Sequence, residues 1–164
     1  MIIRNVTLND ARAICDIYNY YIENTAISFE IQPVSEEEMR ERIGDIINSG
    51  YLYYVGEIDG EVIGYCYTHR WNNRSSYAAT QEVSMYFNIG QTGKGYGTQL
   101  YNYLFNHVDR DKVHTLIAGI CIPNEGSVKL HEKFGFKKIS HFKEVGRKFG
   151  QWRDVGHWQL ILID

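Results

Sequence analysis

The run from Glu82 to Val108 holds the residues best suited to chemistry: a carboxylate on a strand, then the glycine-rich turn Gly93-Lys94-Gly95-Tyr96-Gly97, then a helix. Backbone N–H groups at a helix N-terminus have no intrahelical partner, and the helix dipole is positive there. Glycines let such a backbone approach a phosphate closely, and Lys94 adds a positive charge. Two common nucleotide fingerprints do not fit. Thr98 and Leu100 occupy the candidate third-glycine positions of G-x-G-x-x-G, and G-x-x-x-x-G-K-[ST] is absent. What remains is a phosphate site of another type, or a turn that joins strand to helix without any ligand. Upstream, strand alternation puts Glu82, Ser84 and Tyr86 on one face and Val83, Met85 and Phe87 on the other. A carboxylate so placed can act as a general base when burial moves its pKa towards neutrality; otherwise it is a strand glutamate paired with a cation.

The elements that must position these groups are readable from periodicity. Ile2 to Val6 is a short strand, and Thr7-x-x-Asp10 opens a helix carrying Ile14, Ile17, Tyr18, Tyr21 and Ile22 at helical spacing. Ser35-x-x-Glu38 opens a second helix with Met39, Ile43, Ile46 and Ile47 on one face, stopped by Gly50. Tyr51 to Glu57 and Val62 to His69 form a hairpin around Asp59-Gly60. The strand Glu82–Phe87 leads into the glycine turn and a helix through Val108 with Leu100, Leu104 and Val108 on its apolar face. Val113 to Ile122 is a buried strand, Ser127 to Phe134 a helix, and Gly135 its stop. The tail from Phe136 to Ile163 reads as strands joined by a polar loop around Gly146 to Arg153. Strands and helices alternating between hairpins imply an α/β fold on one mixed sheet.

Bulk properties exclude several classes. A chain of 164 residues suits one domain, and a net charge of -3 without a basic block argues against nucleic acid. The N-terminal apolar run is too short for a signal peptide, and no stretch is long enough to span a bilayer, so no membrane partner is expected. Cys15, Cys66 and Cys121 are odd in number and widely spaced, as expected of buried thiols in the cytoplasm rather than a disulfide framework. His69, His107, His114, His141 and His157 lack metal-ligand spacing, and no metal is expected.

With these elements in place, the glycine turn resembles the coenzyme A loop of the GNAT superfamily of N-acetyltransferases, written Q/R-x-x-G-x-G/A. Gly95-Tyr96-Gly97 supplies the last three positions, while Thr92 stands where Gln or Arg is usual and Gln91 falls one residue early. Asn124-x-x-Ser127-x-x-Leu130-His131-x-x-x-Gly135-Phe136 is similar to the second cofactor segment. Further motifs resemble the phosphinothricin and methionine sulfoximine acetyltransferases: Trp71-x-x-Arg74-x-x-Tyr77, Glu82-x-Ser84-x-Tyr86, Gly97-Thr98-x-Leu100-Tyr101, and the tail Lys148-Phe149-Gly150-x-Trp152-x-Asp154-Val155-Gly156-x-Trp158-Gln159-Leu160.

The resemblance, which runs from Ile3 almost to the end, implies a single N-acetyltransferase domain over residues 1–164. Its fold would be the acyl-CoA N-acyltransferase fold, a mixed central sheet with helices on both faces. Acetyl-CoA would be the co-substrate, its pyrophosphate on the backbone of Gly93, Lys94, Gly95, Tyr96, Gly97 and Thr98. Main-chain groups of Met85, Tyr86 and Phe87 would hold the pantetheine, with Asn124, Ser127 and Lys133 also on the cofactor. Glu82 would take the amine proton, a strand N–H near Met85 would meet the oxyanion, and His131 could protonate the leaving thiolate or be merely packed. Arg74 and Tyr77 would recognise a substrate carboxylate, with Trp71 and Phe29 walling the amine pocket. The implied partner is a small-molecule amine, in a homodimer. Two other readings stand beside it: acetylation of a peptide N-terminus or antibiotic amine, and a non-catalytic acyl-CoA sensor. Glu82 at its expected place favours an enzyme.

Overall fold

The computed structural model describes residues 1–163. In chain order the elements are β1 (Ile2–Asn5), α1 (Ala11–Asn24), α2 (Glu36–Asn48), β2 (Tyr53–Ile58), β3 (Glu61–Arg70), β4 (Thr80–Phe87), α3 (Tyr96–Asn106), β5 (Thr115–Ile122), α4 (Glu125–Lys133), β6 (Lys137–Lys148) and β7 (Gln151–Ile161). The strands lie in the order β1-β2-β3-β4-β5-β7-β6. The sheet is mixed, since β4 and β5 are parallel while β1-β2, β2-β3, β5-β7 and β6-β7 are antiparallel. An α/β fold on one mixed sheet is therefore what the alternation expected.

The described residues group into two compact units. The first comprises Met1–Tyr20, Pro33–His69 and Ser84–Val108. Here Thr7 and Asp10 form the expected capping box, which opens a 3-10 turn (Leu8–Asp10) ahead of α1, and Asp10 is also gripped by the two terminal guanidinium nitrogens of Arg4 at 2.8 and 2.9 Å. Burial alone would push the Asp10 carboxyl up, but the Arg4 fork and the Thr7 amide outweigh it and hold it below its ordinary range. Ser35 caps α2 by accepting from the Glu38 amide. Asp59 and Gly60 both take positive φ (53° and 80°), the backbone of a tight hairpin turn. The core is built from Ile14 of α1, Ile43 of α2, Val55 of β2, Tyr65 and Cys66 of β3, and Leu100, Tyr101 and Leu104 of α3. Of the face expected on α2, Met39 and Ile43 are buried while Ile47 is exposed, because the stripe is wider than the surface that covers it.

The second unit comprises, among the described residues, 21–32, 70–83 and 109–163. Its core is Leu116, Ile117, Ala118 and Ile120 of β5 with Phe136 and Trp158. Two boundaries are corrected. Helix α4 begins at Glu125 rather than Ser127, since Asn124 is its N-cap. The loop expected around Gly146 to Arg153 is instead a continuous β6–β7 hairpin closed by Phe149 and Gly150 at positive φ (52° and 72°). Most of β6 is exposed, so its polar residues face solvent from a strand and mimic loop composition. Cys15 and Cys66 are buried, Cys121 is half-buried, and all three are free thiols. No helix is long and apolar enough to cross a membrane among the described residues.

Candidate active site

In the first unit, the candidate cofactor residues run from the end of β4 through the glycine turn. Phe87 is buried, its ring stacked on Tyr96 with centroids 6.5 Å apart, which ties the strand end to the first residue of α3. Only the main chain of Phe87 can therefore serve a ligand. Tyr86 meets Tyr18 edge-on at 5.1 Å. After a 3-10 turn (Ile89–Gln91), the Thr92 hydroxyl donates to the Ile89 carbonyl at 3.1 Å. The side chain at the unusual position thus closes the turn. Lys94 donates to Gln91 Oε1 at 3.1 Å, so its ammonium is held beside the loop.

Gly93 and Gly95 have φ of 74° and 83°, and Gly95 is the N-cap of α3 with no side-chain cap bond. A Cβ at either glycine would meet nothing within 4 Å. The turn is thus open, with a left-handed backbone that side chains disfavour, and the amides of Tyr96, Gly97 and Thr98 lie in the first turn of the helix that follows. These features fit a pyrophosphate cradle. The same unit contains a cavity of about 290 Å³ whose lining includes Tyr18, Tyr53, Tyr65, Tyr67 and His69. Sequence reading missed it, because aromatic residues on adjacent strands read simply as core.

In the second unit, Glu82 sits half-buried on β4, where the parallel register pairs Thr80 to Glu82 with Thr115 to Ile117. A Cβ on Gly119 would lie 3.6 Å from Glu82 Oε1 and 3.7 Å from His157 Nε2. Gly119 is exposed, so a solvent-open notch separates these two polar side chains. His157 Nδ1 is 2.8 Å from Ser140 Oγ. Gly119 and His157 carried no role in the sequence reading. A lone glycine inside an apolar strand, marking a close approach, was the available signal.

Asn124, expected on the cofactor, spends its side-chain oxygen capping α4 at Ser127 N (3.3 Å). His131 is buried, with Nδ1 2.7 Å from the Ser127 carbonyl and 3.3 Å from Ser127 Oγ. A carbonyl only accepts, so Nδ1 carries the hydrogen and the neutral ring has no proton on Nε2 to give. Burial lowers the His131 pKa against the opposing pull of that carbonyl. Lys133 is exposed in the last turn of α4.

Trp71, Arg74 and Tyr77 come together: the two rings meet edge-on at 5.1 Å, and the Arg74 carbonyl accepts from the Tyr77 amide at 3.0 Å. Arg74 is exposed. Phe29, in the same unit, lies over Gly146, where an added Cβ would strike its ring. Lys148 is buried and donates to the Ser28 carbonyl at 2.6 Å, which fastens the Phe29 segment to β6. Burial lowers its pKa, with Cys121 and Glu30 opposing. A polar stretch around Lys148 gives no sign of this burial. Among the described residues no group of three or more His, Cys, Asp or Glu is arranged to hold a metal.

Comparison with known proteins gives these features a family. The model of the acetyltransferase (GNAT) domain matches residues 3–157. A phosphinothricin N-acetyltransferase from Streptomyces viridochromogenes is 33% identical, over 96% of this chain and 85% of that protein. The L-methionine sulfoximine/L-methionine sulfone acetyltransferase of Salmonella typhimurium is 32% identical over 99% of this chain and 95% of its own. Among solved structures, a phosphinothricin acetyltransferase from Sinorhizobium meliloti in complex with acetyl-CoA superposes with a TM-score of 0.94, at 33% identity, over 98% of this chain and 88% of that one. The chain belongs to the GNAT acetyltransferase family.

Proposed function

We propose that this chain is a single N-acetyltransferase domain that moves the acetyl group of acetyl-CoA to the amine of a small amino acid or amino acid analogue. The observation that carries this reading is that relatives named for phosphinothricin and methionine sulfoximine acetylation align with nearly the whole chain. The open glycine turn supports the cofactor assignment: the backbone from Gly93 to Thr98 would receive the pyrophosphate, and Lys94 would add charge once released from Gln91. Met85, Tyr86 and Phe87 would bind the pantetheine through their main chain, with Asn124, Ser127 and Lys133 flanking it.

Glu82 takes the ammonium proton, and a strand N–H near Met85 donates to the oxyanion that develops on the thioester carbonyl. His131 Nε2 accepts in the resting tautomer, so it can protonate the departing thiolate only after gaining a proton itself. No step in this reading calls on a metal. Trp71, Arg74, Tyr77 and Phe29 are assigned to the acceptor, Arg74 binding its carboxylate.

The test is thiol release from acetyl-CoA over a panel of amino acids, sulfoximines, phosphinothricin, polyamines and peptides. Turnover is expected with the amino acid-like amines; cofactor binding with no turnover on any amine overturns the enzyme reading. In the same assay Arg74→Ala is expected to raise KM for carboxylate-bearing acceptors about tenfold or more, as loss of a charged hydrogen bond implies. KM for acetyl-CoA should stay within about twofold, and an equal loss with amines that lack a carboxylate would remove Arg74 from this role.

The protein is further proposed to be a cytoplasmic homodimer. Phe142, Val145, Phe149 and Trp152 leave an exposed apolar surface on the β6–β7 hairpin, which supports an interface there. Light scattering should return the mass of two chains; the mass of one chain refutes the dimer.

A further inference from the structure

Base catalysis by Glu82 leaves a problem that the fold answers. A carboxylate that has taken a proton must lose it before the next turnover, and Glu82 is half-buried. In the β5–β7 register Gly119 stands opposite His157, and in the β4–β5 register Glu82 stands opposite Ile117. Paired residues share a face and positions two apart share it too, so Glu82, Gly119 and His157 point the same way. The β6–β7 register places Ser140 opposite His157 on that face.

Glu82 Oε1 and His157 Nε2 therefore converge on the space above a residue with no side chain, 3.6 and 3.7 Å from where a Cβ would lie. The imidazole is held on its far side by Ser140 at Nδ1, and edge-on by the Phe142 ring at 5.6 Å. Ser140 Oγ can accept from Nδ1–H, and in that tautomer Nε2, on the Cδ2–Nε2 edge turned to the notch, is an acceptor. The other titratable or charged groups on this face of the neighbouring strands include Cys121 of β5, Arg153 of β7, and Lys137 and Lys148 of β6, with Lys148 close enough to Cys121 to interact electrostatically.

We propose that His157 is a positioning residue for the acetyl transfer: through a water seated over Gly119 it takes the proton that Glu82 removes from the amine and passes it to solvent. The step balances. The ammonium N–H breaks and a Glu82 O–H forms; the carboxylic acid gives its proton to the water as the water gives one to Nε2. The resulting imidazolium releases one proton to bulk solvent and returns to the neutral ring. This inference rests on the reading of Glu82 as the base.

The test uses the full chain and four variants. Gly119→Ala is informative because contacts at 3.6–3.7 Å are ordinary van der Waals distances, so a methyl group fits and removes only the notch. His157→Phe and Gly119→Ala are expected to lower kcat about tenfold or more near neutral pH and to alter the pH profile of kcat. KM for acetyl-CoA should stay within about twofold and thermal midpoints within a few degrees. Added imidazole should restore part of the activity of His157→Ala in proportion to its concentration. Glu82→Gln is measured in parallel. If it is inactive while His157→Phe keeps the parent rate and pH profile, the relay falls and the base stands. If Glu82→Gln turns over at the parent rate, the base falls and the relay with it. Loss in His157→Phe that Gly119→Ala does not reproduce and imidazole does not rescue would assign His157 to packing and overturn the proposal.

Discussion

Glu82→Gln is expected to lower kcat by roughly 10²–10⁴-fold at neutral pH, the range that positioned general bases supply. The affinity for acetyl-CoA, measured by calorimetry, should change by less than about threefold. Glutamine fills the same volume and keeps one acceptor oxygen, so the parallel pairing of Thr80–Glu82 with Thr115–Ile117 is undisturbed. What is lost is a site for the proton. At neutral pH an amino acid amine is almost wholly protonated and cannot attack; without the base, only its small neutral fraction reacts.

The sign of the pH effect follows from that. The rate of the variant should climb about tenfold for each pH unit as the free amine fraction rises, and the gap to the parent enzyme should narrow above about pH 9. The measurement is thiol release at saturating acetyl-CoA and acceptor across this range. A variant that matches the parent at neutral pH would show that Glu82 is not the base.

The parts of the molecule legible in sequence are those where a local rule dictates the backbone. Ser35 with Glu38 and Thr7 with Asp10 are capping pairs whose geometry is set within one turn. Asp59-Gly60 must turn because few other pairs hold φ at 53° and 80°. The glycine turn belongs with them, since Gly93 and Gly95 do adopt left-handed backbone and leave the helix N-terminus open. The illegible parts depend on what lies across the sheet. Lys148 reads as a loop lysine, and only its distant Ser28 acceptor makes it a buried anchor. Gly119 reads as a gap in a buried strand, and Glu82 and His157 give it meaning from two other strands. Asn124 and His131 lie between: their motif is visible, but their engagement with Ser127 is not.

Gly64→Ala is expected to destabilise the protein by roughly 2–3 kcal/mol, through overpacking rather than backbone strain. Gly64 sits in β3 without positive φ, so alanine can adopt its conformation. The added methyl would lie 2.3–2.7 Å from three ring carbons of Phe87, closer than side chains tolerate. The ring cannot swing aside at low cost, since Phe87 is only 7% exposed and stacks on Tyr96. The thermal midpoint should fall by about 5–10 °C for a chain of this size. Gly44→Ala in α2 is the control, because its methyl would meet only Leu8 Cδ2 at 4.0 Å. It should stabilise by about 0.5–1 kcal/mol, as alanine does in a helix interior.

The Gly64 effect should also reach the proposed cofactor site. Phe87 ends β4 and Tyr96 begins α3, so a displaced ring shifts both ends of the glycine turn, and acetyl-CoA affinity should weaken several-fold. Phe87→Leu removes the ring the methyl would strike. Combining it with Gly64→Ala should therefore cost less than the two single losses added, since residues in contact are energetically coupled. A Gly64→Ala protein as stable as its parent, or a double variant with strictly additive losses, would mean that the Phe87 ring yields and that β3 does not hold the strand end against the turn.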